Sequence, residues 1–534
     1  MKTTIKNLIL SAVLVVGGAS CVDLDTAPYD RETDLTYWEE DPEAAVKALN
    51  TCYTYLGNMD EQLYCEAMTD NAYTKQPNDA TQNIGNGSYS TADPYVKKVW
   101  DGRYTGIRMC NELLENIDRV PDLVPELKKR YIGEAKVLRA YNYYELYTKF
   151  GDVPYTTKVL SIKESMSIAR TAKATVIANV LADLDEVING NYLPTSYDAD
   201  NKGRITRWAA MAIKAKIYLF EGNWTQVKNI TSTIMTEGGF KLFGSYAGLF
   251  EIANEYNSEV ILDAQYRPTS REHQMMYVFL PPTLGGYSQL SPLQELVDSY
   301  IMLDGKTIKE TGTSFDESHP YANRDPRLKA TVMYTGNSYT LADGTEVVIN
   351  CEKGEGKDGY GVGSDCSATG YYIKKYWDNT YRATLYSGLN PILIRYADIL
   401  LMNAEALAEL GELDKTAWDA TIKPIRDRAG FTLASAVEFP EGASKDKLIE
   451  IVRNERRSEL ALEGHRHKDI IRWRIADDVL NGWCHGLKTN EVVGTDNGYV
   501  RVENRAFNAN KHYLWPIPQA ERDLNGNLVQ NPNW

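Results

Sequence analysis

The stretch Glu126–Gly151, ELKKRYIGEAKVLRAYNYYELYTKFG, decides the fold class. Leu127, Tyr131, Ala135 and Leu138 recur at helical spacing and predict one apolar stripe. Gly151 is a natural stop, because glycine reaches the left-handed conformation that ends a helix. Arg204–Gly222 (RITRWAAMAIKAKIYLFEG) and Arg395–Gly411 (RYADILLMNAEALAELG) share this build. Aligned on their glycines, Ala140, Met211 and Leu400 fall together, as do Tyr147, Tyr218 and Leu407. Ala-rich helices closed by glycine before a new segment follow tetratricopeptide logic, but a regular array repeats every 34 residues or so. These glycines lie much further apart, so the helix pairs are scattered, with long excursions between them.

Working outward, helix is predicted within 39–57, 100–151, 200–240, 391–430 and 444–481. Residues 58–98 read as irregular and 484–534 as mostly loop. The main excursion, about 240–390, is rich in Gly, Pro, Tyr and Thr, with strand-like pieces at Glu346–Asn350 and Tyr371–Trp377. The expected fold is mainly α: helix pairs forming a superhelical wall, with a loop-rich, little-β excursion packed on it.

The N-terminus is an address. Lys2 and Lys6 precede an apolar run from Leu8 to Val16, then Gly17, Gly18, Ala19, Ser20 and Cys21. This order is that of a secretory signal, too short to span a bilayer. The Cys after small residues resembles a bacterial lipobox, with Gly18 where the usual motif has Leu. Cys21 is then the lipidated residue, residues 1–20 the signal peptide, 21–34 a tether, and 35–534 a single domain. Asp23 and Asp25 resemble the acidic signal that sends such lipoproteins to the cell surface.

The whole chain has 534 residues and a formal charge of −15, with 58 Lys+Arg against 73 Asp+Glu. That balance argues against nucleic acid, whose phosphates need a basic face. Tyrosine is abundant, 36 beside 10 Trp and 10 Phe, so most rings carry a polar handle suited to half-wet surfaces. Six cysteines follow Cys21 and form no CxxC. Cys351 and Cys366 flank a Gly-rich loop and could pair, whereas Cys52 and Cys110 read as buried small apolar residues. HExxH, GxSxG and Walker motifs are absent from the sequence. Gly354–Gly359 is literally GxGxxG, but another Gly-rich run follows it, which predicts a hairpin loop. His465 and His467 are two apart and would point to different sides of a helix. No metal or other cofactor is expected.

One further segment is more telling. Leu448–Trp473, LIEIVRNERRSELALEGHRHKDIIRW, resembles the C-terminal hallmark of the SusD/RagB-like family of Bacteroidetes outer-membrane nutrient-binding lipoproteins. Tyr513–Glu521 (YLWPIPQAE), Gln530-Asn531-Pro532, Asn323–Leu328 (NRDPRL), Ile425–Gly430 (IRDRAG) and Trp100–Leu114 also fit. On its own terms, the mixed-charge run Glu455–Glu459 reads as an ion-paired helix locking the C-terminal part onto the bundle.

The resemblance implies a surface glycan-binding protein that is not an enzyme. It would form the lid of a SusC-like TonB-dependent transporter and pass oligosaccharides inward. Sugar binding needs rings to stack on and polar groups to meet hydroxyls. The family's ligand sites draw on the 66–95 loop and the mid-chain excursion. Candidates are Asp70, Asn71, Tyr73, Tyr89 and Tyr95 in the first, and Tyr287, Tyr321, Tyr376 and Trp377 in the second. Two other readings stay open: the same fold carrying peptides or another nutrient, as RagB-like relatives do, and a surface glycoside hydrolase.

Overall fold

The computed structural model describes residues 33–75, 80–381 and 384–534. The expected signal peptide, Cys21 and all of the tether except Thr33 and Asp34 lie outside the described residues. Along one wall stand α1 (Ala44–Tyr53), α2 (Pro94–Asn116), α3 (Pro125–Phe150), α4 (Lys173–Asn189), α5 (Arg207–Phe220), α6 (Trp224–Glu237) and α7 (Tyr396–Leu410). Each packs on the next in that order. α8 (Ile422–Ala429) and α9 (Lys445–Glu459) close on α7, and α10 (Arg466–Arg472) follows.

The local signals are those the sequence carries. Asp93 caps α2, its carboxylate accepting from the backbone N–H of Tyr95 and Val96, and Pro94 occupies the first turn. Thr206 and Ser444 cap α5 and α9 in the same way. Gly151, Gly222 and Gly411 all have positive φ, at 72°, 69° and 73°. Tyr131, Ala135 and Leu138 are buried, whereas Leu127 is exposed at the helix start. The single stripe is too narrow a description of α3. Tyr143, Tyr144, Leu146, Tyr147 and Phe150 are buried as well, because α2 and α4 both pack on this helix.

Short strands run along the excursion and its edges: β1 (Ala72–Thr74) comes from the 66–95 loop, followed by β2 (Val260–Asp263), β3 (Leu290–Pro292), β4 (Val332–Met333), β5 (Ser338–Thr340), β6 (Glu346–Val348), β7 (Tyr372–Ile373) and β8 (Ile392–Arg395). They form antiparallel pairs β1–β3, β2–β8, β4–β7 and β5–β6. A second apolar core sits here. It joins Met59, Leu63, Ala67 and Ala72 to Leu290, Tyr300, Tyr339, Tyr372 and Leu462.

Two expectations are corrected and one gains a sheet. Residues 58–98 are not irregular: helices Met59–Tyr64 and Ala80–Asn86 flank β1, each too short to show a periodicity. Residues 484–534 are mostly loop, as expected, but β9 (Asn481–Lys488), β10 (Thr495–Asp496) and β11 (Tyr499–Ala506) form a three-stranded antiparallel sheet that the sequence reading did not place. Its glycines hide the strand. A Cβ on Gly486 would lie 2.5 Å from the Thr369 carbonyl oxygen, so the close approach of two backbones selects glycine there. The described cysteines, Cys351 and Cys366 included, are free thiols.

The hallmark segment is buried and charged. Glu455 pairs with Arg327 and Arg426, each at 2.7 Å, and Arg456 with Asp398 (2.6 Å) and Asp469 (2.8 Å). Glu459 meets Arg395 at 2.6 Å, Arg327 at 2.9 Å, and Arg428. The partners come from other elements, so α9 ties the wall to the excursion. Such buried pairs hold one arrangement because breaking one leaves an uncompensated charge.

Candidate functional site

Exposure sorts the candidate residues. Asp70 and Asn71 are interior. The Asp70 carboxylate accepts two hydrogen bonds from Arg466, both 2.8 Å, and pairs with Arg457 at 2.9 Å. Burial pushes this carboxyl up, but the Arg457 and Arg466 guanidiniums outweigh it and hold it well below the usual range. Asn71 donates to Glu66 at 2.8 Å and accepts from Arg457 at 3.0 Å. Both side chains are therefore spent on holding the loop to the hallmark segment and offer no face to a ligand.

Tyr89 is buried between His512 and Trp534, with ring centroids 5.0 and 4.8 Å away. Tyr376 is buried too; its hydroxyl donates to the Leu462 carbonyl at 3.0 Å and accepts from Gln62 at 2.8 Å. Neither ring has a free face, so these two expectations are corrected by packing. Tyr95 is half-buried and lines an interior cavity of about 110 Å³ shared with Gln62, Glu145, Lys149, His467 and Lys468. The cavity's charges pair among themselves, with Lys149 and Lys468 on Glu145 at 2.6 and 2.9 Å. It has room for a few waters and none for a chain of sugars.

Tyr321 and Trp377 are half-buried. Tyr321 lies flat on Tyr334 at 4.0 Å, and the Trp377 indole donates to the Thr340 carbonyl at 2.8 Å. Tyr73, on β1, is half-buried; its hydroxyl accepts from Gln82 at 3.1 Å, and burial raises it to about 12.

Tyr287 is different, 46% exposed. It lies parallel to Tyr277, with planes 13° apart and centroids 5.8 Å apart, and Tyr386 stands edge-on to Tyr277 at 6.3 Å. Tyr386 is 36% exposed, and its hydroxyl accepts a hydrogen bond from Gln274. The backbone builds this platform. Tyr287 N–H donates to the Tyr277 carbonyl at 2.8 Å, and His273 and Ser387 exchange backbone hydrogen bonds at 2.9 and 3.0 Å. A Cβ on Gly286 would lie 2.1 Å from the Leu280 carbonyl oxygen, so the turn that returns Tyr287 to Tyr277 requires glycine. β1 pairs with β3 just beyond, Tyr73 opposite Ser291, and Lys75 N–H reaches the Gln289 carbonyl at 2.9 Å. The structure thus brings the 66–95 loop beside the excursion at Tyr287. Sequence reasoning passed over Tyr277 and Tyr386. The only signal for them was an aromatic in a loop, which most buried tyrosines also show.

The aromatic cluster belongs to the excursion, whose apolar core Tyr277 packs against. Among the described residues no group of three or more His, Cys, Asp or Glu is placed to hold a metal ion, and no helix is long and apolar enough to cross a membrane. Residues 249–534 match the SusD family, and residues 37–219 match a family described as starch-binding and associating with the outer membrane. The chain belongs to the SusD family. It is 28% identical to a SusD-like protein of Formosa agariphila, over 99% of this chain and 98% of that one. Its fold matches a SusD-like carbohydrate-binding protein of Bacteroides fragilis with a TM-score of 0.81 at 28% identity, covering 92% of this chain and all of the other. A laminarin-binding SusD-like protein shares the fold at TM-score 0.68 and 24% identity, over 92% of this chain and 99% of that one.

Proposed function

We propose that this protein is a cell-surface glycan-binding lipoprotein. In this reading it is anchored in the outer membrane through Cys21 and is the lid and partner of a SusC-like TonB-dependent transporter in oligosaccharide uptake. It binds its glycan without cutting it. The mature chain is one SusD-like unit behind its signal and tether. The observation that carries the binding reading is the Tyr277–Tyr287–Tyr386 platform, in which Tyr287 and Tyr386 are exposed and Tyr277 is half-buried between them. Parallel and perpendicular rings present an angled apolar surface that fits a curved or kinked sugar chain. Hydroxyls and the Gln274 carboxamide at its edge meet the sugar's own hydroxyls. Relatives described as carbohydrate-binding or laminarin-binding support the ligand class, and the outer-membrane family description supports the location.

Exposed sugars keep their competition with water, so affinity belongs in the micromolar to millimolar range, about −8 to −4 kcal/mol. A glycan array with the mature protein finds the ligand, and calorimetry then compares Tyr277→Ala, Tyr287→Ala and Tyr386→Ala with wild type. Loss of one ring is expected to cost about 1–3 kcal/mol, by analogy with base stacking. Three folded variants that bind like wild type would refute the platform.

A further inference from the structure

A second exposed ring lies outside this platform, on the C-terminal sheet. Trp483 on β9 is 43% exposed. Its direct partner across the ladder is Asn504 on β11, so both side chains stand on the same face. Asn504 is exposed, and its carboxamide has no hydrogen-bond partner among the described residues. The Arg501 guanidinium lies 5.5 Å from the Trp483 ring.

That guanidinium is held in place from behind. Arg501 donates to Asp496 through Nε at 2.9 Å and through Nη2. Asp496 is 3.0 Å from His485 Nε2, and His485 Nδ1 is 2.8 Å from Glu295. The four residues form a relay from the helix Gln294–Ser299 across the sheet to the ring. A flexible surface arginine spends entropy to hold one pose. Here the pose is fixed in advance, beside a free carboxamide and an open indole face.

We propose that Trp483, Asn504 and Arg501 form a second carbohydrate subsite, separate from the tyrosine platform, that takes a neutral pyranose. The indole face supplies stacking. The Asn504 carboxamide offers two N–H donors and an acceptor oxygen to neighbouring hydroxyls. Arg501 is already neutralised by Asp496, so its remaining N–H groups suit hydroxyls rather than a carboxylate. The proposal rests on the carbohydrate-binding reading. It adds a second contact, and two weak subsites on one long glycan raise its overall affinity through effective concentration.

The test is native affinity electrophoresis of the mature protein in gels containing laminarin, starch, xylan or pectin. On a polysaccharide that retards the wild type, Trp483→Ala and Asn504→Ala are each expected to weaken apparent affinity about fivefold or more. Trp483→Phe should bind better than Trp483→Ala, because it keeps a ring, and Trp483→Ala with Tyr287→Ala should bind worse than either alone. Circular dichroism checks the fold of each variant, and Asn504→Ala carries the test if Trp483→Ala unfolds. If Tyr287→Ala loses retardation while the Trp483 and Asn504 variants run as wild type, the second subsite is overturned and the binding reading survives. If none of the four polysaccharides retards the wild type, the subsite and the reading fall together.

Discussion

Asp70 carries a charge into the interior and meets two guanidiniums there. Removing the carboxylate would leave Arg457 and Arg466 buried beside each other. Asp70→Ala is therefore expected to cost about 3–5 kcal/mol, read by urea unfolding; a cost under about 1 kcal/mol would contradict the pairing. Its folded carboxyl is depressed, so this stability is present above the unfolded value of about 3.9 and is lost only as pH falls through the lower folded value. His485 runs the other way. Glu295, and after it Asp496, raises the imidazole above its ordinary value. Both bonds are complete only on the doubly protonated ring. The clamp is present below about pH 6.5 and is lost as pH rises through the raised folded value. Amide exchange in residues 489–498, corrected for intrinsic rate, should quicken across that rise, and His485→Gln should flatten the dependence. At this scale the sequence misleads for a physical reason. Asp-Asn in a polar loop looks like a ligand site, and nothing local shows that residues 457 and 466 come back to claim it.

At the scale of elements, local signals carried most of the fold. The glycine stops and the apolar spacing of α3, α5 and α7 are written within a few turns of chain, and the wall follows from them. Leu138→Ala and Leu400→Ala remove fully buried side chains and should each cost roughly 2–5 kcal/mol by chemical denaturation. A value below about 1 kcal/mol would mean the stripe does not pack. β9 was illegible because Gly486 answers to Thr369, over a hundred residues away, rather than to its neighbours. The tyrosine platform was illegible too, apart from Tyr287. Which tyrosine faces water depends on the turn at Gly286 and on the His273–Ser387 pairing, and the second of these joins residues more than a hundred apart. Gly286→Ala should displace Tyr287 from Tyr277, so calorimetry should show weaker glycan binding by a protein that still folds.

At the scale of the whole molecule, anchoring and partnership are the questions. Cys21→Ala should leave the protein soluble or uncleaved; fractionation with outer membrane at wild-type levels would rule out lipid as the anchor. If the proposed lid role holds, gentle solubilisation and affinity purification should recover a SusC-like transporter with the wild type, because a lipid tether would hold the two at high effective concentration.

The buried ion network has a consequence for how the chain is made. Asp70 receives its counter-charges from Arg457 and Arg466, and Glu259 receives its own from Arg395 and Arg428. The early half of the polypeptide thus holds acids whose neutralisation is encoded in the later half. A chain stopped before α9 keeps Arg395 and Arg428 for Glu259 but lacks both partners of Asp70, so limited proteolysis should cut the 66–95 loop of such a truncation faster than that of the full chain. Electrostatics makes an early loop of the chain wait for its late helices: the segment around Asp70 closes only once residues 457 and 466 are present to meet it.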